Sequence, residues 1–404
     1  MLPPAISNLA RSPFRAASTQ EHGQASSTTA ALRMVPGSKW VTVYGLLLHL
    51  LIAMYFGMVA ASIFLLLEVQ SEIMRGLGRI EGLWFIKVNF AFLLLFPLTR
   101  LALHLWRGMV GLVTQQHDAA PERSIGVMLS PEHHPELYTA VAEVGELVRS
   151  PKPDEIRLSY RAECFALEQR AFGLSTDRSL ILVIGLPQLE VLTLNELKVI
   201  VAHELAHFGG GDTRLGVFVF RFLKALRLAQ EENAGSGWRW IDPVAWLSWL
   251  YYHLFLVLSA PLRRHQELRA DGWSAAAYGG DFAAVTLLRD WLLAQQFDET
   301  LTRFLRAAPR HIAGDGSNLF REFSTRFHDL TPEGLSYLEQ RLAQEEQPSF
   351  WDSHPTIRER MANMRRYVAR DLPEPLPAYL LVRDIDAIER KLQEQLNAQL
   401  PAFP

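Results

Sequence analysis

Two histidines and a glutamate, spaced by one helical turn, are the residues most able to carry chemistry in this chain. The run His203-Glu204-Leu205-Ala206-His207 is an H-E-x-x-H motif inside an otherwise apolar segment. Because four residues make just over one helical turn, His203 and His207 would share one helix face and could bind one zinc ion. Glu204 could then act beside the metal as a general base. The alternative is a chance match on a surface helix, in which both histidines are ordinary hydrogen-bonded side chains.

The residues around the motif mark both ends of a helix. Thr193 and Glu196 have the spacing of a capping box, in which each side chain binds the backbone N–H of the other residue. No proline or glycine falls between Leu194 and Phe208, and three glycines follow from Gly209 onward. The sequence therefore predicts a helix over Leu194 to Phe208. Two imidazoles and a carboxylate are costly to bury on such an apolar helix unless a cation pairs with them.

Composition narrows the class of protein and the kinds of metal ligand. Of the 404 residues, 49% are hydrophobic and 21% are charged, which is slightly more apolar than a soluble average and favours contact with membrane lipid. The net charge of −3 gives no indication of a nucleic-acid partner. Cys164 is the only cysteine, so an intrachain disulfide and a cysteine-based zinc cluster are both excluded. Further metal ligands must be His, Asp or Glu.

The N-terminal part of the chain predicts a disordered tail followed by a membrane hairpin. Residues 1–38 are rich in Ser, Ala, Thr and Gln and show no apolar periodicity. Residues 39–110 would form a transmembrane hairpin with spans at about 41–67 and 84–106. A cleaved signal peptide is the alternative for the first span, but that span starts late and is long. The second is interrupted by Lys87, Pro97 and Arg100, and a core helix is its alternative.

Charge predicts which side of the membrane holds the rest of the chain. Four basic residues before the first span, Arg11, Arg15 and Arg33 in the tail and Lys39 directly after it, outnumber Arg75 and Arg79 in the loop between the two spans. Because basic segments stay on the cytoplasmic side, the tail and everything after residue 107 would be cytoplasmic. The expected location is the inner membrane of a bacterium.

The region from about 120 to 370 predicts one globular domain that is mostly α with a small β-sheet. A helix is expected over 134–149, and strands are expected over 155–160 and 179–184, the second as a buried apolar run. The helix that carries the H-E-x-x-H motif follows at once. Residues 371–404 would add a C-terminal amphipathic helix, starting at about Pro377.

A third metal ligand is expected about sixty residues after the motif. A catalytic zinc has three protein ligands and an open position for water. Glu267 and Asp271 lie one turn apart on a plausible helix, so that Glu267 could bind the metal while Asp271 orients a ligating histidine. His265 is the rival ligand. An ordinary solvated, charged helix face is the other reading, because arginines flank this stretch.

The combination of these motifs resembles the membrane metallopeptidases of the HtpX and CAAX prenyl protease type. H-E-x-x-H at 203–207 and E-x-x-A-D at 267–271 occur in the order of that family, and the resemblance implies that Glu267 is the third zinc ligand in a gluzincin-type domain. Asp212 matches an aspartate that the family has after its second histidine. His354-Pro355, followed by Arg358 and Arg360, matches a late family motif. The resemblance covers roughly residues 120–370.

The resemblance implies a zinc-dependent endopeptidase, with one Zn²⁺ per chain, that acts on membrane or misfolded polypeptides. Glu204 would take a proton from a zinc-activated water, and His354 would stabilise the oxyanion. One segment departs from the family. The substrate-binding strand usually carries an asparagine, whereas this chain reads Cys164-Phe165-Ala166, which puts specificity in doubt. An edge strand there could still pair with an extended peptide, and Cys164 is read as a packed residue rather than a nucleophile.

Binding one metal also constrains the topology, because His203 and Glu267 must lie on the same side of the membrane. The chain must therefore cross the bilayer an even number of times between 208 and 264. Three basic residues make 215–228 a poor span, so the sequence favours no full crossing. Residues 243–262 would then lie at the interface or inside the catalytic domain, and two crossings are the alternative.

Two other functions fit part of the pattern. One is an inactive relative that serves as a membrane scaffold or interaction protein, although all three ligands and Glu204 are present. The other is a prenyl-peptide processing protease, which an enclosed chamber of more transmembrane spans would favour. The sequence predicts no oligomeric state and no individual substrate.

Overall fold

The computed structural model describes residues 39–79, 126–170, 178–209, 243–306, 318–327, 331–345 and 355–399, with a few single positions between them. Helices alternate with a small sheet in the first part of the globular region and dominate the second part. The described helices are α1 (Lys39–Arg79), α2 (Pro135–Leu147), α3 (Leu186–Val191), α4 (Leu194–Gly209), α5 (Pro243–Tyr278), α6 (Gly280–Arg306), α7 (Leu319–Arg326), α8 (Pro332–Glu345), α9 (Ile357–Met364) and α10 (Ile385–Gln399). The predicted tail and nearly all of the second predicted span, 84–106, lie outside the described residues.

Four strands form one mixed sheet, which confirms the predicted fold class. They are β1 (Val127–Leu129), β2 (Glu155–Ser159), β3 (Cys164–Arg170) and β4 (Arg178–Gly185), in the spatial order β1-β2-β4-β3. β2 pairs parallel to β4, while β1 and β3 pair antiparallel to β2 and β4 respectively. β2 and β4 were predicted to within a residue or two. β3 is an edge strand, and β1, only three residues long, was not predicted.

One hydrophobic core joins the sheet to the helices that carry the candidate site. The buried run of β4 packs with α2, α4, the second half of α5 and α6. Ala202 and Leu205 of α4 and Ala270 of α5 are fully buried in this core. Small alanines at this contact let the two helices approach closely, so the side chains beside them are brought near one another.

The predicted capping box at the start of α4 is confirmed. The Thr193 backbone N–H donates to Glu196 Oε2 at 2.8 Å, and the Glu196 N–H donates to Thr193 Oγ1 at 3.3 Å. Arg289 of α6 also binds Glu196, at 2.5 Å and 2.6 Å, which ties α6 to the same turn. At the other end, a Cβ on Gly209 would lie 2.2 Å from the Val148 carbonyl oxygen, so only glycine allows α4 to end against α2.

The apolar segments form two long helices that pack against each other. Among the described residues, one helix is long and apolar enough to cross a membrane, from Val43 to Ile73 in α1, with a mean hydropathy of 2.5. It lies where the first span was predicted. α5 is continuous from Pro243 to Tyr278, although Pro261 lies inside it. Its first half packs on α1 in a separate apolar cluster made of Leu48, Leu51, Ile52, Tyr55, Val59, Tyr251, Phe255 and Leu262.

The C-terminal region differs from the predicted single helix. A short 3₁₀ helix covers Ala378–Leu381, and α10 begins only at Ile385. Asp384, with a φ of 54°, breaks the helical path between them. The Ala378 N–H donates to the Leu192 carbonyl at 3.0 Å, so this segment pairs with the chain just before α4. α10 then buries Leu392 and Leu396 against the domain rather than standing apart from it.

The Thr193 cap should contribute measurably to stability, because it satisfies N–H groups that the first turn of α4 leaves unpaired. Thr193→Ala is expected to lower the free energy of unfolding by about 1 kcal/mol. The measurement is urea unfolding of the purified full chain in detergent. The matched control is Thr139→Ala, since the exposed Thr139 hydroxyl donates only to the Pro135 carbonyl. That change should stay within about 0.5 kcal/mol. Equal stability of both variants would contradict the assigned role of the cap.

Candidate metal centre

α4 and α5 bring three candidate ligands to one point. His203 and His207 lie one turn apart on α4, and Glu267 faces them from α5. The two histidine Nε2 atoms are 3.3 Å apart. Glu267 Oε2 lies 3.5 Å from His203 Nε2, and Glu267 Oε1 lies 3.8 Å from His207 Nε2. These three residues form the candidate metal group of the described chain, and His265, the rival third ligand, is not a member.

The spacing of these atoms fits a tetrahedral metal ion. With bonds of about 2.0–2.1 Å, a tetrahedral ion holds its ligand atoms about 3.4 Å apart. The separations of 3.3 and 3.5 Å, which share His203 Nε2, lie close to that value. The distance of 3.8 Å runs to the other Glu267 oxygen, and one donor atom from each residue can be chosen so that all three lie within 4.8 Å of one another. Two imidazoles and one carboxylate leave a fourth position, as catalytic rather than structural zinc sites do.

The electrostatics of the group also call for a cation. Burial lowers the pKa of His207 to about 4, so its imidazole is neutral at neutral pH, the form that binds metals. At His203, burial and Arg360 both lower the pKa, but Asp271 and Glu267 outweigh them and raise it to about 10. Asp271 and Glu267 therefore favour positive charge at this point. Arg360, 2.7 Å from Asp271 Oδ1 and 3.8 Å from Glu267 Oε2, supplies part of it, and a divalent ion among the three ligands would add to it.

Asp271 contacts His203 on the side of the ring that faces away from the other two ligands. Its side chain is 0% exposed, and Oδ1 lies 2.9 Å from His203 Nδ1, the ring nitrogen opposite the one that faces the group. Such a bond fixes the tautomer and the ring orientation of a metal-binding histidine. The structure therefore places Asp271 where the sequence expected it.

Arg360 fixes Asp271 in turn. Its Nε and Nη2 donate to the two Asp271 oxygens at 2.9 Å and 2.7 Å. Burial alone would raise the pKa of Asp271, but Arg360 and His203 outweigh it and lower that pKa. Arg360 lies on α9, whose start is fixed by a second capping box between Thr356 and Glu359. From the sequence, Arg358 and Arg360 were only the arginines that follow the His-Pro motif. In the structure, Arg360 binds the Asp271 carboxylate.

Glu204 and an unforeseen aspartate face the same region. Burial raises the pKa of Glu204 to about 7, which suits a group that must both accept and release a proton near neutral pH. Asp290 of α6 lies close enough to interact electrostatically with Glu204, and burial raises its pKa to about 6. Gln188 donates to Asp290 Oδ1 at 2.8 Å. An acidic residue on an amphipathic helix is usually solvated, so the sequence gave no signal for Asp290.

The edge strand β3 begins with the three residues predicted to bind substrate, Cys164, Phe165 and Ala166. This strand packs against α4. Burial, and then the nearby Glu204, raises the pKa of the Cys164 thiol well above its ordinary value. A protonated, packed thiol is a poor nucleophile, in agreement with the interpretation from the sequence. His354 and Asp212 lie outside the described residues.

Comparison with known proteins assigns the class. The model of peptidase family M48 matches residues 137–368, more than half of the chain. The chain therefore belongs to peptidase family M48 and is a metallopeptidase, which confirms the resemblance found from the motifs.

Its relatives include two bacterial proteins named Protease HtpX. The one from Actinobacillus pleuropneumoniae serotype 5b (strain L20) is 26% identical over 206 residues, which cover 45% of this chain and 69% of the relative. The one from Haemophilus ducreyi (strain 35000HP) is 28% identical over 206 residues, with the same coverage. No solved structure matches. Together with α1, these relatives support a membrane-associated metalloprotease.

Removing the Asp271 carboxylate charge should weaken metal binding without removing a ligand. Asp271→Asn is expected to lower zinc affinity about 10–100-fold, because the His203 ring loses its fixed orientation. Competition with a fluorescent zinc chelator measures this affinity. The matched control is Asp281→Asn, at a side chain that is 81% exposed on α6. An Asp271→Asn protein that binds zinc as tightly as this control would contradict the orienting role.

Proposed function

We propose that the protein is a zinc-dependent endopeptidase, held at a membrane, that hydrolyses peptide bonds of membrane or misfolded proteins. The observation that carries the proposal is the group of three donor atoms, one each from His203, His207 and Glu267, which lie within 4.8 Å of one another. Membership of the metallopeptidase family supports the reaction class. The proposed substrate class follows from the membrane helix and from the resemblance to HtpX-type proteases.

Zinc, one ion per chain, is the metal that best suits this donor set. Two imidazole nitrogens and one carboxylate oxygen in a tetrahedral arrangement are typical of catalytic zinc, whereas Mg²⁺ and Ca²⁺ prefer six or more oxygen ligands. Zn²⁺ bound here would act as a Lewis acid, lowering the pKa of water and polarising the substrate carbonyl.

Glu204 is the proposed general base. It follows His203 on α4 and so projects beside the ligand group rather than into it. Its carboxylate would take the proton from the attacking water and later deliver it to the leaving amine. Burial raises the pKa of Glu204, which favours its holding the proton between the two transfers. Asp271 and Arg360 would keep the His203 ring fixed throughout the cycle.

β3 is the proposed binding site for the substrate backbone. Among the described strands it pairs only with β4, so its other edge is available for an extended peptide. Backbone pairing does not depend on the asparagine that the family usually has here. Side-chain preferences would then come from the residues around Cys164, Phe165 and Ala166, which differ from the family pattern.

Two residues outside the described ranges keep the roles that the resemblance implies. His354 is proposed to donate to the oxyanion of the tetrahedral intermediate, as the second donor besides the metal. It lies six residues before Arg360 in the sequence. Asp212, five residues after His207, is proposed as a further support of the metal-binding histidines.

The proposed organisation follows the sequence: a tail over 1–38, a hairpin over 39–110, a peptidase domain over 120–370 and a C-terminal helix after it. The catalytic domain is proposed to face the cytoplasm at a bacterial inner membrane. Intact ligands and Glu204 argue against an inactive scaffold. A prenyl-peptide protease would need further spans around an enclosed chamber, and α1 is the candidate span within the described part of the chain.

Two variants should distinguish the residue that takes the proton from a residue that binds the metal. We expect one zinc per wild-type chain and cleavage of casein. Glu204→Gln should keep its zinc but lose activity by about 10²–10⁴-fold, because no base takes the proton of the attacking water. Glu267→Ala should lose both. Metal analysis and casein digestion measure the two properties. Glu146→Gln, at an exposed helix position, is the matched control and should change neither. Unchanged casein cleavage by zinc-loaded Glu204→Gln would refute the peptidase mechanism.

The orientation can be measured on sealed vesicles. If the catalytic domain is cytoplasmic, external trypsin should degrade residues 120–400 in inverted inner-membrane vesicles but not in intact spheroplasts. The N-terminal tail should be digested in the same preparation, because positive-inside charge places it on the same side. Degradation in spheroplasts and protection in inverted vesicles would reverse the proposed orientation.

A further inference from the structure

α5 joins a membrane-facing apolar surface to the metal centre within one continuous helix. Its first half packs on α1, and its second half carries Glu267 and Asp271. Because a helix rises 1.5 Å per residue along its axis, residue spacing gives the greatest distance that two positions of α5 can have along the membrane normal; tilt, or a bend at Pro261, shortens it. The greatest height of the metal centre can therefore be read from the contact between α5 and α1.

The outward face of the first half of α5 has the character of a lipid-facing surface. Four large apolar side chains, spaced by three and four residues, form one stripe on this face: Trp246, Trp249, Leu250 and Leu254, which are 41–60% exposed. α1 exposes a similar set beside it, and only 28% of its most apolar window is buried. A contiguous apolar surface of this kind is unfavourable in water and favourable in lipid.

Contacts with α1 place Tyr251 near the middle of the bilayer. The Tyr251 hydroxyl donates to the Leu51 carbonyl, and its ring packs on Tyr55 with centroids 5.3 Å apart. The uncharged stretch of α1 runs from residue 40 to residue 67, so its centre falls between 53 and 54, level with Leu51 and Tyr55. If α1 spans the bilayer, Tyr251 lies close to the midplane.

The first charged residue of α5 gives a second, independent landmark. Arg263 comes twelve residues after Tyr251, about 18 Å along the helix. Half the hydrocarbon layer is about 15 Å thick, so Arg263 lies at its edge, where a charge first becomes favourable. The depth taken from α1 and the charge pattern of α5 therefore agree.

Glu267 follows sixteen residues after Tyr251, at most about 24 Å from the midplane. Subtracting the half-thickness of about 15 Å places the metal centre no more than about 9 Å above the hydrocarbon, in or just outside the headgroup layer, which is about 5–8 Å thick. An extended peptide covers that height in about three residues, at roughly 3.3 Å each.

We propose that α5, embedded beside α1 through the stripe from Trp246 to Leu254, fixes the metal centre at headgroup height, so that the enzyme cleaves juxtamembrane segments a few residues beyond the end of a transmembrane helix. The depth of Tyr251 sets this height whether or not Pro243 reaches the opposite surface. The inference rests on the proposed peptidase function and adds a positional rule to its substrate class.

Spin labels test the depth of α5 directly. Since Cys164 is the only cysteine, Cys164→Ala provides a background for single labels at Leu250, Leu254 and, as a water-exposed control, Glu146. Zinc content checks that each labelled protein is folded. In liposomes, the labels on α5 should meet oxygen but not a water-soluble nickel complex. Leu250 lies about 1.5 Å and Leu254 about 4.5 Å from the level of Tyr251, on opposite sides of it, so the Leu254 label should be about 3 Å shallower.

Two results from the labels would overturn the proposal. Nickel access at Leu250 equal to that at Glu146 would place this face of α5 in water. A Leu250 label shielded from both relaxing agents would show that protein, and not lipid, covers the stripe.

A substrate series tests the positional rule. A segment that the enzyme cuts in a soluble denatured protein is mapped by mass spectrometry, then placed 0, 3, 6, 12 or 24 residues beyond a single transmembrane helix on a Gly/Ser spacer. In liposomes, we expect no cleavage at spacing 0 and a maximum at 3–6 residues. A spacer four times longer than the optimum should be cut about eightfold more slowly, because the effective concentration falls as the −3/2 power of length.

The soluble segment separates failure of this rule from failure of the proposed function. If the free segment is cut and Glu204→Gln does not cut it, the peptidase function stands. Equal rates at every spacing, or a maximum at 24 residues, would then overturn the positional rule alone. If the enzyme cuts no segment of the soluble denatured protein in the first step, the proposed function itself fails.

Discussion

The fixed contact between α4 and α5 is the constraint on which the rest of the structure depends. Three metal-binding side chains from two helices must meet within 4.8 Å, although more than fifty residues separate them in the sequence. Neither helix can hold such a group alone, because one turn supplies at most two ligands on one face. The buried alanines Ala202 and Ala270 let the backbones approach closely enough, and the main core then keeps them there.

Two capping boxes connect the starts of α4 and α9 to neighbouring helices. Glu196, which caps α4 with Thr193, also binds Arg289 of α6. Glu359, which caps α9 with Thr356, binds Arg264 of α5 at 2.7 Å. Each carboxylate thus fixes a helix start and a tertiary contact together. The second box also sets the register of Arg360, so that the line of bonds from Arg360 through Asp271 to His203 begins at a defined helix end.

The sequence predicted the elements with strong local signals and missed those that depend on tertiary contact. A capping box, an apolar run and terminal glycines were enough for α4, and one-turn spacing was enough to pair Glu267 with Asp271. β1, with three residues, has too short a pattern to recognise. The C-terminal helix was placed too early because pairing of Ala378 with Leu192 is invisible in local sequence. Asp290 was missed because charge on an amphipathic helix normally marks its solvated face.

Continuity of α5 explains why the apolar segment 243–262 was hard to interpret from its composition alone. Residues 243–262, expected at an interface or inside the domain, begin the helix that supplies a metal ligand, and they pack on α1. The part of α5 before Arg263 is apolar, and the part after Arg263 carries the metal ligand Glu267. A shift of α5 along α1 by one turn, about 5.4 Å, would move Glu267 relative to both the membrane and His203. Such a shift would break both the hydrogen bond from Tyr251 to the Leu51 carbonyl and the packing of the Tyr251 ring on Tyr55, so these contacts oppose it.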